Sequence, residues 1–352
     1  MSTSAPDEAK HPPVRADLSA VVAHSRAPDL VPIDAPERPI TVDQSNYSVV
    51  VDERVVVKWL LPPVPVPHRG ERLLTHLREV GFVEMPAFMG AEIEHGHVTA
   101  MVTEYIDGAL DGWDWMVDEL TASPTDALVS AERMGVVAAR LHEALATPSK
   151  VFAEPVVEGS IEPEVERGLA LLDEALACTA GDAGKRLAGR VTQIRAAIHS
   201  LSEVGRLPVQ PTHGDLHVGQ FLRSDDLLLV NDFDGNPIAE PAERDRLRNT
   251  LTDLASLLQS IDHVGRIVVK RNPERADEVE TWIHAATQRA YTAYTATWPE
   301  GAAHPDTAVI LRGLSAIQEL HEFVYAARSL PRWLYVPDAA LSALFPLPDT
   351  AE

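Results

Sequence analysis

The chain has 352 residues, 45% of them apolar and 24% charged, which is the composition of a globular protein with room for a large core. Its 53 acidic and 30 basic residues give a formal charge of -23, a field that repels polyanions and anionic lipid and so excludes a nucleic-acid binder held by phosphate contacts. A single cysteine, Cys178, excludes a disulfide framework and cysteine-built metal centres. No run approaches the roughly 18 apolar residues of a membrane span, and the polar N-terminus has no apolar signal region, so a cytoplasmic protein is expected.

Residues 1–40 are rich in Pro, Ala and Asp. LSAVVAH predicts a short helix or strand there, and the rest reads as loop, in either a small N-terminal cap or a partly disordered segment. SVVVDERVVVKWLL predicts a β-hairpin, with strands over Ser48–Val51 and Arg54–Trp59 around an Asp52–Glu53 turn, because β-branched residues stiffen extended backbone. Pro62–Pro67 reads as a structureless connector. GERLLTHLREVGF predicts a helix with Leu73, Leu74 and Leu77 on one face and Gly81 at its end. Strands over Ala87–Ile93 and His97–Tyr105 complete a small antiparallel sheet carrying one helix.

Beyond Asp107 the periodicity changes. Residues 113–147 and 161–204 are long helical patterns, joined by the Pro/Glu-rich connection KVFAEPVVEGSIEPE. Cys178 closes one of these helices as a packed thiol. PTHGDLHVGQFLRSDDLLLVNDFDGNP interrupts the helices with a loop and a hairpin, its strands near Gln220–Leu222 and over Leu227–Val230 around a Ser224–Asp226 turn. Helices resume at Leu251 and continue through 274–298 and 306–330. The expected architecture is α+β: a cap (1–40), a sheet-rich lobe (41–106), and a helical lobe with an embedded hairpin (107–352).

That hairpin holds the densest polar cluster in the chain. Pairing of its strands brings Gln220 and Asp232 to the rim that carries Asp215. Carboxylate and amide oxygens suit Mg²⁺, and Asp215 is placed to accept a hydroxyl proton. A transition-metal site on His213, Asp215 and His217 is the weaker alternative, since no further histidine pair completes it. Lys58, after three valines, is a point charge for phosphate, and Glu71 at the start of the next helix is its expected partner. Asp253 is expected to hold the loop backbone, and Trp113 and Trp115 to anchor the lobe joint.

A strand lysine, a helix glutamate, a catalytic-loop aspartate, a metal-binding amide and a second metal aspartate resemble the parts of the protein-kinase-like fold. HGDLH, in place of the protein kinases' HRD, resembles the aminoglycoside phosphotransferases. QSNYSVVVDERVVVKW, YIDGALDGWDWM, HGDLHVGQFL, DFDGNP and EFVYAARSLPRWLYVP look like the maltokinase-like actinobacterial sugar kinases, a group that includes glucosamine kinases, over roughly residues 41–345. The resemblance implies ATP and Mg²⁺. Lys58 would hold the ATP phosphates and Glu71 would orient it. Met101–Ile106, with Glu104 and Ile106, would be the hinge that reads adenine. Gln44–Ser48 would be the phosphate-side loop, with Ser45 and Asn46 in place of the missing glycines. Asp215 would be the catalytic base, and Gln220 and Asp232 the metal ligands.

Three departures put maltose in doubt. DFDGNP replaces the DFEGEP usual in maltokinases, Gln318 stands where they tend to carry lysine, and their N-terminal part is longer. Loss of that lysine beside Glu319 and Glu322 leaves an acidic wall that suits an ammonium group. The expected acceptor is therefore a small sugar, glucosamine at its 6-hydroxyl, bound by Asp215, His217, Asp234, Gln318, Glu322 and Trp333. Maltose, an aminoglycoside, or a catalytically inactive scaffold role are the alternatives.

Overall fold

The computed structural model describes residues 18–40, 47–236, 239 and 241–347. Ser45 and Asn46 lie outside these residues, so the proposed phosphate-side loop has no structural account. Helix α1 (Ser19–Arg26) leads into strands β1 (Glu37–Pro39), β2 (Tyr47–Val51) and β3 (Val55–Pro65). The β2–β3 turn is as expected. Asp52 and Glu53 both take positive φ, 55° and 50°, and Arg54 N–H closes the turn on Val51 O at 3.1 Å. Helix α2 (Arg69–Glu79) starts at the His68 cap and buries Leu73, Leu74 and Leu77. It ends in a Schellman arrangement, with Gly81 at φ 79° and Phe82 N–H donating to Leu77 O. Strands β4 (Phe88–Glu94) and β5 (His97–Glu104) finish a five-stranded antiparallel sheet of order β1-β2-β3-β5-β4.

Two expectations change here. Residues 18–40, the described part of the expected cap, are built into the sheet rather than set on top of it. β1 is an edge strand of that sheet, and α1 covers one face, packing Ala20, Val22 and Ala23 on Val49, Val51, Val55, Val57 and Trp59. The proline-rich connector is not structureless either. β3 runs on to Pro65 and pairs again with β5 after a register shift between Trp59 and Val64, which an outer β3 segment tolerates because prolines need donate nothing there. The period of two in β3 sends Val55, Val57 and Trp59 under α1 and turns Lys58 to the opposite face.

The remainder is mostly helical. The first long helical pattern is two helices, α3 (Gly112–Ala122) and α4 (Pro124–Ala146), because Ser123 caps a new helix whose first residue is proline. The Pro/Glu-rich connection contains a strand, β6 (Val157–Ser160). The second helical pattern divides at Gly181 into α5 (Glu162–Cys178) and α6 (Gly181–His199), and β7 (Arg206–Val209) pairs with β6. The hairpin is β8 (Phe221–Ser224) and β9 (Leu227–Val230). Gln220 closes the short 3-10 turn before β8 instead of starting the strand. A short helix, α7 (Pro241–Arg244), precedes α8 (Leu251–Arg271), α9 (Ala276–Thr297), α10 (Thr307–Ser329) and α11 (Tyr335–Leu344). Cys178 packs at the end of α5, its thiol 3.7 Å from Ala175 O. Among the described residues no helix is long and apolar enough to cross a membrane.

Candidate active site

The segment between β7 and β8 is held by a buried carboxylate from α8. Asp253 accepts from His213 N–H at 2.6 Å and Gly214 N–H at 2.9 Å, the structural role expected of it. Its Oδ2 also lies 3.1 Å from His142 Nε2, whose other ring nitrogen is 2.8 Å from the Tyr294 hydroxyl. Sequence reading missed His142 and Tyr294, because they lie on α4 and α9, far from the motif in the chain. His213 is fully buried, its Nε2 2.9 Å from Asn231 O and its ring against Phe233, so it braces the loop from inside. Among the described residues no three His, Cys, Asp or Glu side chains form a metal cage, which leaves the transition-metal alternative without a ligand set.

Asp215 emerges from this braced loop. Burial raises its pKa, the neighbouring imidazoles of His217 and His213 oppose the rise, and the carboxylates of Asp232 and Glu322 add to it. These couplings place Asp215, His217, Asp232 and Glu322 in one electrostatic neighbourhood. His217 caps the turn at Val218, with Gly219 N–H donating to its Nδ1 at 3.1 Å, and its Nε2 stands 3.9 Å from Asp215 Oδ2 and 3.3 Å from the Gln220 amide. Asn231 N–H donates to Gln220 O, so strand pairing carries Asp232 to the rim on which Gln220 ends.

Lys58 reaches this rim from the sheet. Its Nζ is 2.8 Å from Asp232 Oδ1 and 2.7 Å from Asp234 Oδ2. Burial pulls the lysine pKa down, but the two carboxylates outweigh it and raise it overall, so the ammonium stays charged. Burial favours the neutral form of Asp232, and Lys58 reverses this and lowers its pKa. The expected Lys58–Glu71 pair is not formed. Glu71 Oε1 instead accepts from the Thr75 hydroxyl one turn along its own helix, and the two hairpin aspartates take the lysine. Asp232 holds a left-handed φ of 61°, a conformation costly outside glycine and common where function fixes the backbone. Asp234 Oδ1 is buried without a hydrogen-bond partner among the described residues, and a Cβ on Gly70 would lie 2.3 Å from it. Gly70 is thus what lets Asp234 approach the start of α2.

The segment expected to be the hinge is stitched on both sides. Glu104 N–H donates to Ala87 O and Tyr105 N–H to Arg54 O, each about 2.9 Å or less, and Ile106 follows within the turn to Ala109. Leu110 then bridges to Arg223 of β8. Trp115, expected with Trp113 at the lobe joint, is buried with its ring N–H on Phe221 O at 3.0 Å, a contact within the helical lobe. Trp113 faces elsewhere. It stacks on His217 at 5.8 Å and meets Trp333 edge-on at 6.2 Å, so His217, Trp113 and Trp333 make an aromatic wall beside Asp215. Its position in DGWDWM gave no sign of this, since alternate residues at a helix start point to different sides.

Asp215 and Gln318 line a cavity of about 300 Å³ together with Asn236, Arg244, His321 and Tyr325. The acidic wall expected from Glu319 and Glu322 needs correction. Glu319 is fully buried with Oε1 2.9 Å from His263 Nε2 and does not line the cavity. Glu322 is also outside the cavity lining, with a carboxylate oxygen 3.7 Å from His321 Nδ1. Four acids, Glu174, Asp215, Glu243 and Asp253, line the cavity beside Arg167, Arg244, Arg248 and Arg328, and Glu174 pairs with Arg328 and Glu243 with Arg248. Asp215 lines the cavity and shares an electrostatic neighbourhood with Glu322, which is where negative charge faces an acceptor ammonium.

No family model matches the chain. It is 37% identical over 328 residues to a glucosamine kinase of Streptacidiphilus jiangxiensis, covering 88% of this chain and 74% of that protein. It is 35% identical over 322 residues to a glucosamine kinase of Mycolicibacterium smegmatis (strain ATCC 700084 / mc(2)155), covering 88% and 79%. Its fold is similar to a solved glucosamine kinase in complex with glucosamine, ADP and inorganic phosphate, with a TM-score of 0.77 at 34% identity over 90% of this chain and 78% of that one. A sheet lobe and a helical lobe that deliver a lysine and three aspartates to one cleft agree with that likeness, and the chain belongs to the glucosamine kinase family.

Proposed function

We propose that the protein transfers the γ-phosphoryl group of ATP to the 6-hydroxyl of glucosamine in the cytoplasm, where ATP is available. The observation that carries this reading is the convergence of Lys58, Asp232 and Asp234 beside the braced Asp215 loop, in a chain whose relatives are glucosamine kinases. A related structure holds glucosamine, ADP and inorganic phosphate, which supports the choice of acceptor and donor. In this reading the sheet lobe holds the nucleotide and the helical lobe holds the sugar.

The donor set fits Mg²⁺. Asp232 offers a carboxylate, Gln220 an amide, and Asp234 a buried oxygen without a partner, and Mg²⁺ is bound by one or two carboxylates plus substrate phosphates rather than by a closed protein cage. When bound, it neutralises charge on the phosphates. Lys58, freed from the aspartates as phosphate oxygens arrive, supplies a further positive charge to them. In this reading the backbone groups of Glu104 and Ile106 read the adenine. Asp215 accepts a hydrogen bond from the acceptor hydroxyl, aligns it, and takes its proton as the bond to phosphorus forms. Its raised pKa makes it a better proton acceptor than an exposed aspartate. On the same reading the Trp113–Trp333 pair forms the aromatic side of the sugar site, Gln318 lines its cavity, and His217 and Glu322 act from the electrostatic neighbourhood of Asp215.

The test is Mg²⁺-dependent ADP release from ATP with glucosamine, maltose, glucose and an aminoglycoside, each against a blank without acceptor, and phosphorus NMR of the product. Glucosamine-dependent turnover yielding the 6-phosphate is expected. Turnover on maltose alone, or Mg-ATP binding with no turnover on any acceptor, overturns the reading.

A further inference from the structure

Arg69, at the first position of α2, belongs to the sheet-lobe side of the cleft, yet its side chain ends among the residues of the helical lobe. Its Nη1 donates to Arg244 O at 2.6 Å. Its Nη2 donates to Thr212 O at 2.5 Å and His213 O at 3.1 Å, the two carbonyls that lead into Gly214 and Asp215. The residue is only 9% exposed. Burial lowers its pKa and nearby carboxylates, Asp253 and Asp245 first among them, oppose that fall, so the guanidinium stays cationic.

Two glycines make room for this fork. A Cβ on Gly214 would lie 2.9 Å from Nη2, and one on Gly235 would lie 3.0 Å from Nε. Both hold positive φ, 79° and 74°, so neither place admits another residue without strain. The same turn of α2 carries Gly70, against which Asp234 rests, and Asp234 holds Lys58. One helix turn therefore touches the loop of the proton acceptor through Arg69, and the lysine–aspartate cluster through Gly70.

We propose that Arg69 is a positioning residue that sets the Asp215 loop in register with the phosphate side of the cleft. Two of its charge-assisted hydrogen bonds fix the Thr212 and His213 carbonyls against α2, a third ties Arg244 O to the same fork, and together they fix where the Asp215 carboxylate stands relative to Lys58 and Asp232. A bare need to satisfy buried carbonyls would be met by any donor, without the link to α2 on which the proposal turns. The inference rests on the phosphotransfer reading and deepens it. A displacement of about 1 Å at a reacting group costs on the order of 10²-fold in rate, so loosening this link shows in kcat rather than in binding.

The test compares Arg69→Ala and Arg69→Lys with wild type by ADP release at saturating Mg-ATP, by glucosamine KM, by Mg-ATP Kd, and by melting temperature. Millimolar guanidinium or ethylguanidinium, far below denaturing levels, is then added, with KCl at matched ionic strength as control. For Arg69→Ala, kcat falls about 10²-fold, while KM and Kd each move less than about threefold. Arg69→Lys recovers part of the rate, and guanidinium raises the rate of Arg69→Ala but not of wild type. Unchanged kcat in Arg69→Ala overturns the proposal. So does a loss that tracks a lowered melting temperature and is rescued by neither lysine nor guanidinium, which is the mark of a stability residue. Should Arg69→Ala not fold, Arg69→Lys decides: a lower kcat at unchanged KM upholds the proposal and an unchanged kcat overturns it. Wild type without glucosamine turnover is a different failure, that of the phosphotransfer reading.

Discussion

Asp215 concentrates the chemistry at the residue scale, and its surroundings make two expectations sharp. Asparagine at this position keeps shape and hydrogen bonding but cannot take a proton. Asp215→Asn is expected to lower kcat by about 10²–10⁴-fold with Mg-ATP affinity retained, as read by ADP release and calorimetry. A variant with normal turnover would sink the assignment of the base. The carboxylate is the active form, and burial raises its pKa, so the rate rises with pH through a point above the ordinary aspartate value of about 3.9. The acid limb of kcat/KM for glucosamine is the measurement, and a limb at or below that value contradicts the geometry. Asp232 differs, since its pKa is lowered by Lys58 and it stays ionised. Asp232→Ala is expected to lose the metal-dependent part of nucleotide binding, and equal Mg-ATP affinity in variant and wild type would count against it as a ligand.

Helices α8 and α10 show what an element must supply to hold such a site. They meet through His263 and Glu319, both buried, 2.9 Å apart. Burial pulls the His263 imidazolium down, and the Glu319 carboxylate outweighs it and holds the pKa up to about 9. A folded pKa above the unfolded value of about 6.5 contributes stability that is present below about 6.5 and is lost as pH rises through about 9. Burial pushes the Glu319 carboxyl up, to about 7, so both partners are charged between about 7 and 9, and Glu319→Gln removes the countercharge of the imidazolium there and is expected to destabilise the fold by urea denaturation at pH 8. In that variant the decline in stability between pH 6 and 9 attributable to this pair is also expected to flatten. A parallel decline in both proteins would show that the pair is not its source.

The whole molecule depends on a segment that composition marks as peripheral. Ser19 accepts from the Trp59 ring N–H at 3.0 Å, and α1 with the stretch to Ala35 covers the valines of β2 and β3. Removing residues 1–40 uncovers Val49, Val51, Val55, Val57 and Trp59 together, a patch whose burial at roughly 1.5–3 kcal/mol per side chain is comparable to the net stability of a domain. The 41–352 fragment is therefore expected to be insoluble or to lack a cooperative melt. A soluble fragment with the full-length melting temperature would show that the outer face of the sheet does not need this cover.

Local chemistry was readable where one short stretch of chain contains it. The Asp52–Glu53 turn, the α2 leucine face with its Gly81 stop, and the hairpin after HGDLHVGQ all depend on neighbours within a few residues, and they are found as expected except that Gln220 closes the turn before β8. The resemblance of those motifs to the sugar kinases led to the family that the comparisons show. Tertiary structure decided what depends on distant partners. It gave Lys58 to Asp232 and Asp234 rather than Glu71, put Trp113 on His217, sent Glu319 into the core against His263, and passed Arg69 from α2 to the carbonyls before Asp215. Such pairings span tens to more than a hundred residues, where periodicity and spacing carry no distance information. The sequence by itself therefore determined the elements and the chemical kinds of group at the site. Packing alone determined which of those groups meet, because a buried charge or ring takes the partner that the folded chain brings within a few ångströms.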